Sequence, residues 1–159
     1  MRNNKNRTAC FTGHRKFQAK KIEVIITKLD KEIDRLIQKG VTTFLSGGAL
    51  GFDQIAASLI AAKKEMGNDL RLIMALPHRG QDDLWTKKEK ELYNYLLSVA
   101  DEVIYVSETY SGDCMKKRNY YMVDKSEYCI CALTKEISGM GQTVRYAIQK
   151  QLQIINVAK

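Results

Sequence analysis

The sequence predicts an α/β fold, a three-layer sandwich in which a mainly parallel sheet of about six strands has helices on both faces. Two observations predict it. Short apolar or β-branched runs alternate along the chain with segments whose apolar residues recur at helical spacing. A glycine-rich turn also joins one of the predicted strands to the helix after it, a connection typical of parallel sheets. Because parallel strands need crossover connections, the helices are expected to cover the sheet on both sides.

Six runs have the composition of buried strands. They are rich in Val, Ile, Leu, Phe, Cys and Thr, as expected for strands of a parallel sheet that is covered on both faces. The predicted strands span residues 8–12, 41–46, 70–76, 102–106, 127–133 and 152–157.

Five helices are predicted between these strands. The longest has apolar residues at helical spacing from Ile22 to Ile37, and Gly40 closes it as a C-terminal cap. The others span 52–66, 83–99, 115–125 and 141–151. No linker, internal repeat or low-complexity tract interrupts the 159 residues, so 1–159 is predicted to be a single domain.

The segment 46–53, Ser-Gly-Gly-Ala-Leu-Gly-Phe-Asp, lies between the second predicted strand and the next helix. Glycines let backbone N–H groups approach a ligand, and a helix N-terminus offers unpaired N–H groups and a positive dipole end. The segment therefore predicts an anion site. It matches neither G-x-G-x-x-G nor the triphosphate loop that ends in Gly-Lys-Ser/Thr. A plain tight turn is the alternative interpretation.

Polar, glycine-bearing loops follow five of the predicted strands, at the edge where open parallel sheets bind ligands. Arg15, Arg79 and Arg118 are suited to bind phosphate through paired hydrogen bonds. Tyr110 or Trp85 is suited to stack on a base. Together these loops have the composition of a nucleotide pocket.

Several of these residues also have purely structural interpretations. His14 can cap the first long helix, and Asp53 can cap the second or complement its dipole instead of contacting a ligand. Trp85 can be a half-buried ring on a helix. Met115 and Met122 are interpreted as packing residues.

Lys and Arg outnumber Asp and Glu by 26 to 18, which gives a net charge of +8. Eight of the 26 basic residues fall within 1–28, where Glu23 is the one acid. This excess suits an anionic partner, either a phosphorylated small molecule or nucleic acid, and a solvated basic face is the alternative.

The cysteines Cys10, Cys114, Cys129 and Cys131 form no C-x-x-C pair and are predicted to be reduced thiols. No metal site is predicted, because zinc needs further ligands that are not nearby in the sequence. Neither a signal peptide nor an apolar stretch of about 20 residues is present, so we expect a cytoplasmic protein without membrane contact.

Four segments together resemble the YpsA-like branch of the SLOG superfamily, in the right order and over nearly the whole chain. They are 8–15 (Thr-Ala-Cys-Phe-Thr-Gly-His-Arg), 46–53, 118–124 (Arg-Asn-Tyr-Tyr-Met-Val-Asp) and 139–144 (Gly-Met-Gly-Gln-Thr-Val). The resemblance implies a Rossmann-like fold and a homodimer. The superfamily includes the LOG phosphoribohydrolases, the DNA-processing protein DprA, and sensors of nucleotide-derived ligands such as ADP-ribose or NAD.

The loops and the resemblance together nominate a set of ligand-binding residues. These are Thr12, Gly13, His14, Arg15, Ser46, Gly47, Gly48, Gly51, Asp53, Pro77, Arg79, Trp85, Tyr110, Arg118, Asn119, Gly139, Gly141, Gln142 and Thr143.

LOG enzymes carry the signature P-G-G-x-G-T-x-x-E, whose Glu supports cleavage at the ribose carbon. After Gly139-Met140-Gly141 this chain continues Gln-Thr-Val-Arg-Tyr, with no carboxylate on that turn. The departure disfavours LOG-type hydrolysis, so no catalytic residue is nominated and no cofactor is required.

We therefore expect binding of a nucleotide or nucleotide-derived ligand, of the ADP-ribose, NAD or AMP type, by a sensor or regulator. One alternative is hydrolysis of an N-glycosidic bond, for example in a nucleoside monophosphate, with a carboxylate from another loop. The other is nucleic-acid binding like that of DprA, which would weaken steeply with salt.

Overall fold

A computed structural model describes residues 5–134 and 139–159, and in these residues six strands form one parallel sheet. The strands are β1 (Thr8–Gly13), β2 (Thr43–Ser46), β3 (Arg71–Leu76), β4 (Glu102–Tyr105), β5 (Tyr128–Ala132) and β6 (Gln153–Asn156). Their order across the sheet is β4-β3-β2-β1-β5-β6. The chain thus builds outward from β1 to β4 and then returns to the other side of β1 with β5 and β6.

Five helices connect these strands within the described residues: α1 (Ala19–Gln38), α2 (Phe52–Glu65), α3 (Lys87–Val99), α4 (Cys114–Asp124) and α5 (Gly139–Gln149). Helices α1, α2 and α3 pack on one face of the sheet, and α4 and α5 pack on the other. The predicted α/β sandwich is confirmed. None of the described helices combines the length and apolar character that crossing a membrane requires.

Phe11 of β1 organises the larger of the two apolar clusters. Its ring stacks on Phe44 of β2 at 5.9 Å between centroids and meets Phe52, the first residue of α2, edge-on at 6.3 Å. All three side chains are fully buried, and each such burial stabilises the fold by about 1.5–3 kcal/mol. A Cβ added to Gly13 would collide with the Phe52 ring. The start of α2 is therefore held tightly against the carboxyl end of β1.

The predicted end of the first helix is confirmed. Gly40 has φ +101°, and its N–H donates to the Ile37 carbonyl at 3.0 Å, while the Val41 N–H donates to the Leu36 carbonyl at 3.0 Å. Glycine adopts this left-handed conformation without strain.

The predicted start of the third helix at residue 83 is wrong, because α3 begins at Lys87. A capping box fixes this start: the Glu89 N–H donates to the Thr86 hydroxyl at 3.2 Å, and the Thr86 N–H donates to Glu89 Oε1 at 2.9 Å. Trp85 therefore precedes the helix rather than lying on it.

Candidate ligand-binding cavity

A cavity of about 300 Å³ opens at the carboxyl end of β1. It is lined by Thr12, Gly13, Arg15, Ala49, Asp53, Gly112, Met115, Lys116, Arg118, Asn119, Gln142 and Thr143. In the sheet β1 lies between β2 and β5, where connections leave in opposite directions. Open parallel sheets bind their ligands at such a point.

Three of the described helices begin beside this cavity. Ala49 and Asp53 line it from the start of α2, Gly112 and Met115 from the start of α4, and Gln142 from the first turn of α5. Each helix N-terminus carries a partial positive charge. The surroundings of the cavity therefore favour an anion.

Basic side chains add to this positive potential. Arg15 and Lys116 line the cavity from exposed positions, whereas Arg118 lines it from a buried one with 3% exposure. Burial lowers the pKa of the Arg118 guanidinium below its usual value, and the nearby Asp53 carboxylate opposes that shift.

The Arg118 side chain also holds the loop after β2 in place. Its Nη1 donates to the Gly47 carbonyl at 2.6 Å, and its Nε donates to Asn119 Oδ1 at 2.7 Å. Nη2 contacts the sulfur of Met115, a weak acceptor, at 3.9 Å. The guanidinium is thus partly used within the protein, and Nη2 keeps donor capacity for a ligand.

Asp53 is a buried carboxylate in this positive environment, with 6% exposure. Its pKa is raised from 3.8 to about 6, mainly because burial disfavours the charged form. The charge of Arg118, a backbone hydrogen bond from Ala49 and the charge of Arg15 act in the opposite direction.

The glycines that follow β2 serve close packing behind the cavity wall. A Cβ on Gly47 would collide with the Arg118 guanidinium, and one on Gly51, which has φ +90°, would collide with the Arg15 backbone. The Ser46 hydroxyl donates to the Asp53 carbonyl at 2.8 Å and accepts from the Gly48 N–H at 3.3 Å. The segment 46–53 therefore reaches the cavity through Ala49 and Asp53, not through its serine and glycines.

The sequence comparisons agree with this architecture. The YpsA family model, described as the YspA SLOG family, matches residues 9–157. The chain belongs to the YpsA SLOG family. It is 35% identical over 133 residues to the SPbeta prophage-derived protein YoqJ of Bacillus subtilis, covering 76% of this chain and 78% of YoqJ. It is also 24% identical over 137 residues to a UPF0398 protein of Bacillus thuringiensis, covering 85% of this chain and 74% of that protein.

Two solved structures of DNA processing protein A share the fold of this YpsA-family chain. The Streptococcus pneumoniae protein gives a TM-score of 0.65 at 17% identity, and the Helicobacter pylori protein gives 0.65 at 18%. The matches cover 94% and 95% of this chain but only 50% and 65% of those chains. The chain therefore spans about half of one DprA chain and under two thirds of the other, and this likeness establishes the fold alone.

His14 does not cap the first helix of this YpsA-family protein, because the N-cap position of α1 is occupied by Gln18. Instead its Nε2 accepts a hydrogen bond from the Thr134 N–H at 3.2 Å, and its ring lies edge-on to Phe17 at 5.7 Å. His14 thus ties the loop after β1 to the loop after β5, beside the cavity rather than lining it.

Four nominated residues lie away from the cavity, in loops that follow β3 and β4: Pro77, Arg79, Trp85 and Tyr110. The Arg79 side chain donates to Glu108 at 2.9 Å and lies 4.3 Å from the centroid of the Tyr105 ring. Two aromatic contacts complete this group, Trp85 on Tyr93 at 4.9 Å and Tyr110 on His78 at 5.5 Å. The predicted single edge site is therefore divided into two groups.

The nominated residues of α5 also differ in position. Gln142 and Thr143 line the cavity, Gly139 begins the helix, and Gly141 lines a neighbouring pocket between α5, β5 and β6. Part of the predicted loop, 135–138, lies outside the described residues.

Sequence reasoning missed Lys116 and treated Met115 as packing, yet both line the cavity. Helical spacing could have found Lys116, since it lies one turn before the nominated Asn119 and shares its helix face.

A larger cavity, of about 590 Å³, opens at the opposite edge of the sheet. Two of its charged side chains pair with each other, Arg71 with Glu102 at 3.5 Å. Asp124 and Lys125 place the C-terminal end of α4 there, and that end carries partial negative charge. Despite its size, this cavity is a poorer candidate for an anionic ligand.

Proposed function

We propose that this chain binds a nucleotide or nucleotide-derived ligand in the cavity at the end of β1 and acts as a sensor or regulator. The main support is that three helix N-termini and the basic side chains of Arg15, Lys116 and Arg118 converge on this one cavity. Helix N-termini and arginine side chains are recurrent ligands of phosphate. The resemblance to the SLOG superfamily, which includes sensors of nucleotide-derived ligands, favours the same function.

The size of the cavity favours a small ligand group. Its volume of about 300 Å³ is at the lower end of the usual range for small-molecule sites, about 300–1,000 Å³. A mononucleotide such as AMP is suited to this space, whereas part of ADP-ribose or NAD would extend outside it.

Isothermal titration calorimetry with AMP, NAD and ADP-ribose tests the proposal. We expect at least one of them to bind, and Arg15→Ala and Lys116→Ala each to weaken that binding about 10- to 150-fold, the effect of losing a hydrogen bond to a charged group.

The matched control is Lys117→Ala. Lys117 has the same charge as Lys116 and is its neighbour on α4, but it is exposed, outside the cavity and 3.8 Å from Asp113. Affinity unchanged in Arg15→Ala and Lys116→Ala, or lost equally in Lys117→Ala, would contradict a site in this cavity.

A second candidate function is binding of single-stranded nucleic acid on the outer face of α4 and α5. Tyr120 and Tyr146 stack there with centroids 3.8 Å apart and ring planes 3° apart. Lys116 Nζ lies 5.4 Å from the Tyr120 centroid, and Lys150 Nζ lies 5.5 Å from that of Tyr146. Basic groups beside aromatic rings are typical of surfaces that bind single strands. The related H. pylori structure concerns a single-stranded DNA binding mode of DprA.

Fluorescence anisotropy with a labelled oligothymidine tests this second candidate. Lys116→Glu and Lys150→Glu, which change the two basic groups beside the stacked rings, should each weaken binding at least about tenfold and make it less sensitive to salt, because fewer phosphate counterions are released. Lys31→Glu, at an exposed position of α1 on the opposite face, is the control. Equal losses in all three variants would indicate a general effect of net charge and contradict a defined surface.

A further inference from the structure

Asp53 is the feature of the cavity that phosphate binding leaves unexplained. Among the described lining residues it is the one carboxylate, in surroundings that otherwise attract anions. No ion pair within 4.0 Å involves it in the described part of the chain. A buried carboxylate of this kind opposes an anionic ligand unless it has a favourable contact of its own to make.

The neighbouring groups do not use up its acceptor capacity. The Nε and Nη1 donors of Arg118 are directed to Asn119 and Gly47, and Asp53 receives a backbone hydrogen bond from Ala49. An ionised carboxylate has about four acceptor positions on its two oxygens. Asp53 therefore retains acceptor positions in a cavity that it lines.

We propose that Asp53 accepts hydrogen bonds from two adjacent hydroxyls of the ligand, so that the ligand is a ribosyl phosphate with a free vicinal diol. The inference rests on the proposed nucleotide binding and names what must lie beside the phosphate. A cationic ligand group would be repelled by Arg15, Lys116 and Arg118, whereas a hydroxyl donates without carrying charge. Two carboxylate oxygens match the two hydroxyls of an unmodified ribose.

The charge state of Asp53 at neutral pH agrees with this role. The charged groups that act on it are Arg118 from α4 and Arg15 from the loop after β1, together with the Ala49 backbone N–H. With a pKa of about 6, the carboxyl group is mostly ionised at pH 7.5 and mostly protonated at pH 5.

The test compares AMP with 2′,3′-dideoxy-AMP on the wild-type protein and on Asp53→Asn, by calorimetry at pH 7.5. We expect the wild type to prefer AMP by about tenfold or more, because hydrogen bonds to a charged acceptor are lost with the diol. In Asp53→Asn the preference should fall to about twofold or less. Glu108→Gln, which changes an exposed carboxylate in the loop after β4, should retain the full preference.

The wild type alone provides a second measurement that does not depend on the folding of a variant. Its preference for AMP should decrease between pH 7.5 and pH 5, as Asp53 takes up a proton. Both nucleotides carry the same phosphate, so protonation of the phosphate cancels in the ratio.

An equal preference in the wild type and Asp53→Asn, or a preference that stays constant down to pH 5, would overturn the role of Asp53 and leave nucleotide binding intact. If the wild type binds neither nucleotide, the proposed function fails for mononucleotides and this inference fails with it.

Discussion

Two groups of loops at the carboxyl edge have similar residue types but different electrostatics. In the outer group, after β3 and β4, Arg79 and Glu108 pair on the surface with side chains 62% and 75% exposed. In the cavity group, Asp53 and Arg118 are both buried, and no ion pair within 4.0 Å joins them. Solvent screens the outer pair, whereas buried charges keep a strong local potential. A cluster of charged residues therefore attracts an anionic ligand only where neighbouring charges do not already neutralise each other.

The largest expected difference between the two groups is the loss of stability when a glycine is replaced by alanine. Gly47→Ala should lower the free energy of unfolding by about 3 kcal/mol or more, because the added Cβ displaces the buried Arg118 guanidinium from its hydrogen bonds. Gly80→Ala, in the outer group, should change it by less than about 0.5 kcal/mol, since its Cβ meets only the end of the exposed Asp83 side chain. Urea unfolding measures both, and equal losses would contradict the distinction.

The second-largest expected effect is a change of stability with pH, caused by the titration of Asp53. The folded-state pKa of Asp53, about 6, exceeds the ordinary 3.8, so the folded protein binds this proton more tightly than the unfolded chain does. The resulting contribution to the free energy of unfolding is complete below pH 3.8 and is lost as pH rises through 6. Asparagine resembles the protonated form at every pH. Asp53→Asn without ligand should therefore be more stable than the wild type by about 2–3 kcal/mol at pH 8, with little difference near pH 4.

Urea unfolding at several pH values measures this difference. The exposed Glu108→Gln should show no comparable pH-dependent gain. A stability difference for Asp53→Asn that does not change between pH 4 and pH 8 would mean that the Asp53 carboxyl group does not titrate in this range.

The smallest effect is expected in the outer group. Arg79→Ala should leave both the melting temperature and nucleotide affinity within experimental error of the wild type, because its ion pair with Glu108 is exposed and screened. Thermal denaturation and calorimetry measure these quantities. Weaker nucleotide binding in Arg79→Ala would extend the site to the loop after β3 and remove the contrast between the groups.

The sequence predicted the helices and strands better than it predicted which loops lie next to each other. All six strands and five helices were predicted because each has a local signal, such as helical apolar spacing or the stop at Gly40. The late start of α3 also has a local signal, the capping-box pattern Thr-x-x-Glu of 86–89.

The division of the site had no local signal. Distance from β1 in the strand order does not decide which loops line the cavity, since Gly112 follows β4, the strand farthest from β1 on that side, and still lines it. Arg79 lies away because its side chain is bound to Glu108 at 2.9 Å, a contact that no local pattern predicts. The internal role of Arg118 was equally hidden, since its hydrogen bond to Gly47 depends on tertiary packing between residues 71 positions apart.

That long-range hydrogen bond has a consequence for folding kinetics. Arg118 joins α4 to the loop after β2, across 71 residues, and lies 3.5 Å from the Ala75 carbonyl, across 43 residues. Contacts between such distant parts of a chain carry a large loop-closure entropy and tend to form late. A partly folded chain holding only β1 to β4 would lack the cavity. A ligand bound there should therefore mainly slow unfolding and hardly change the rate of folding. It binds only molecules in which α4 and α5 have already packed against β1 to β4.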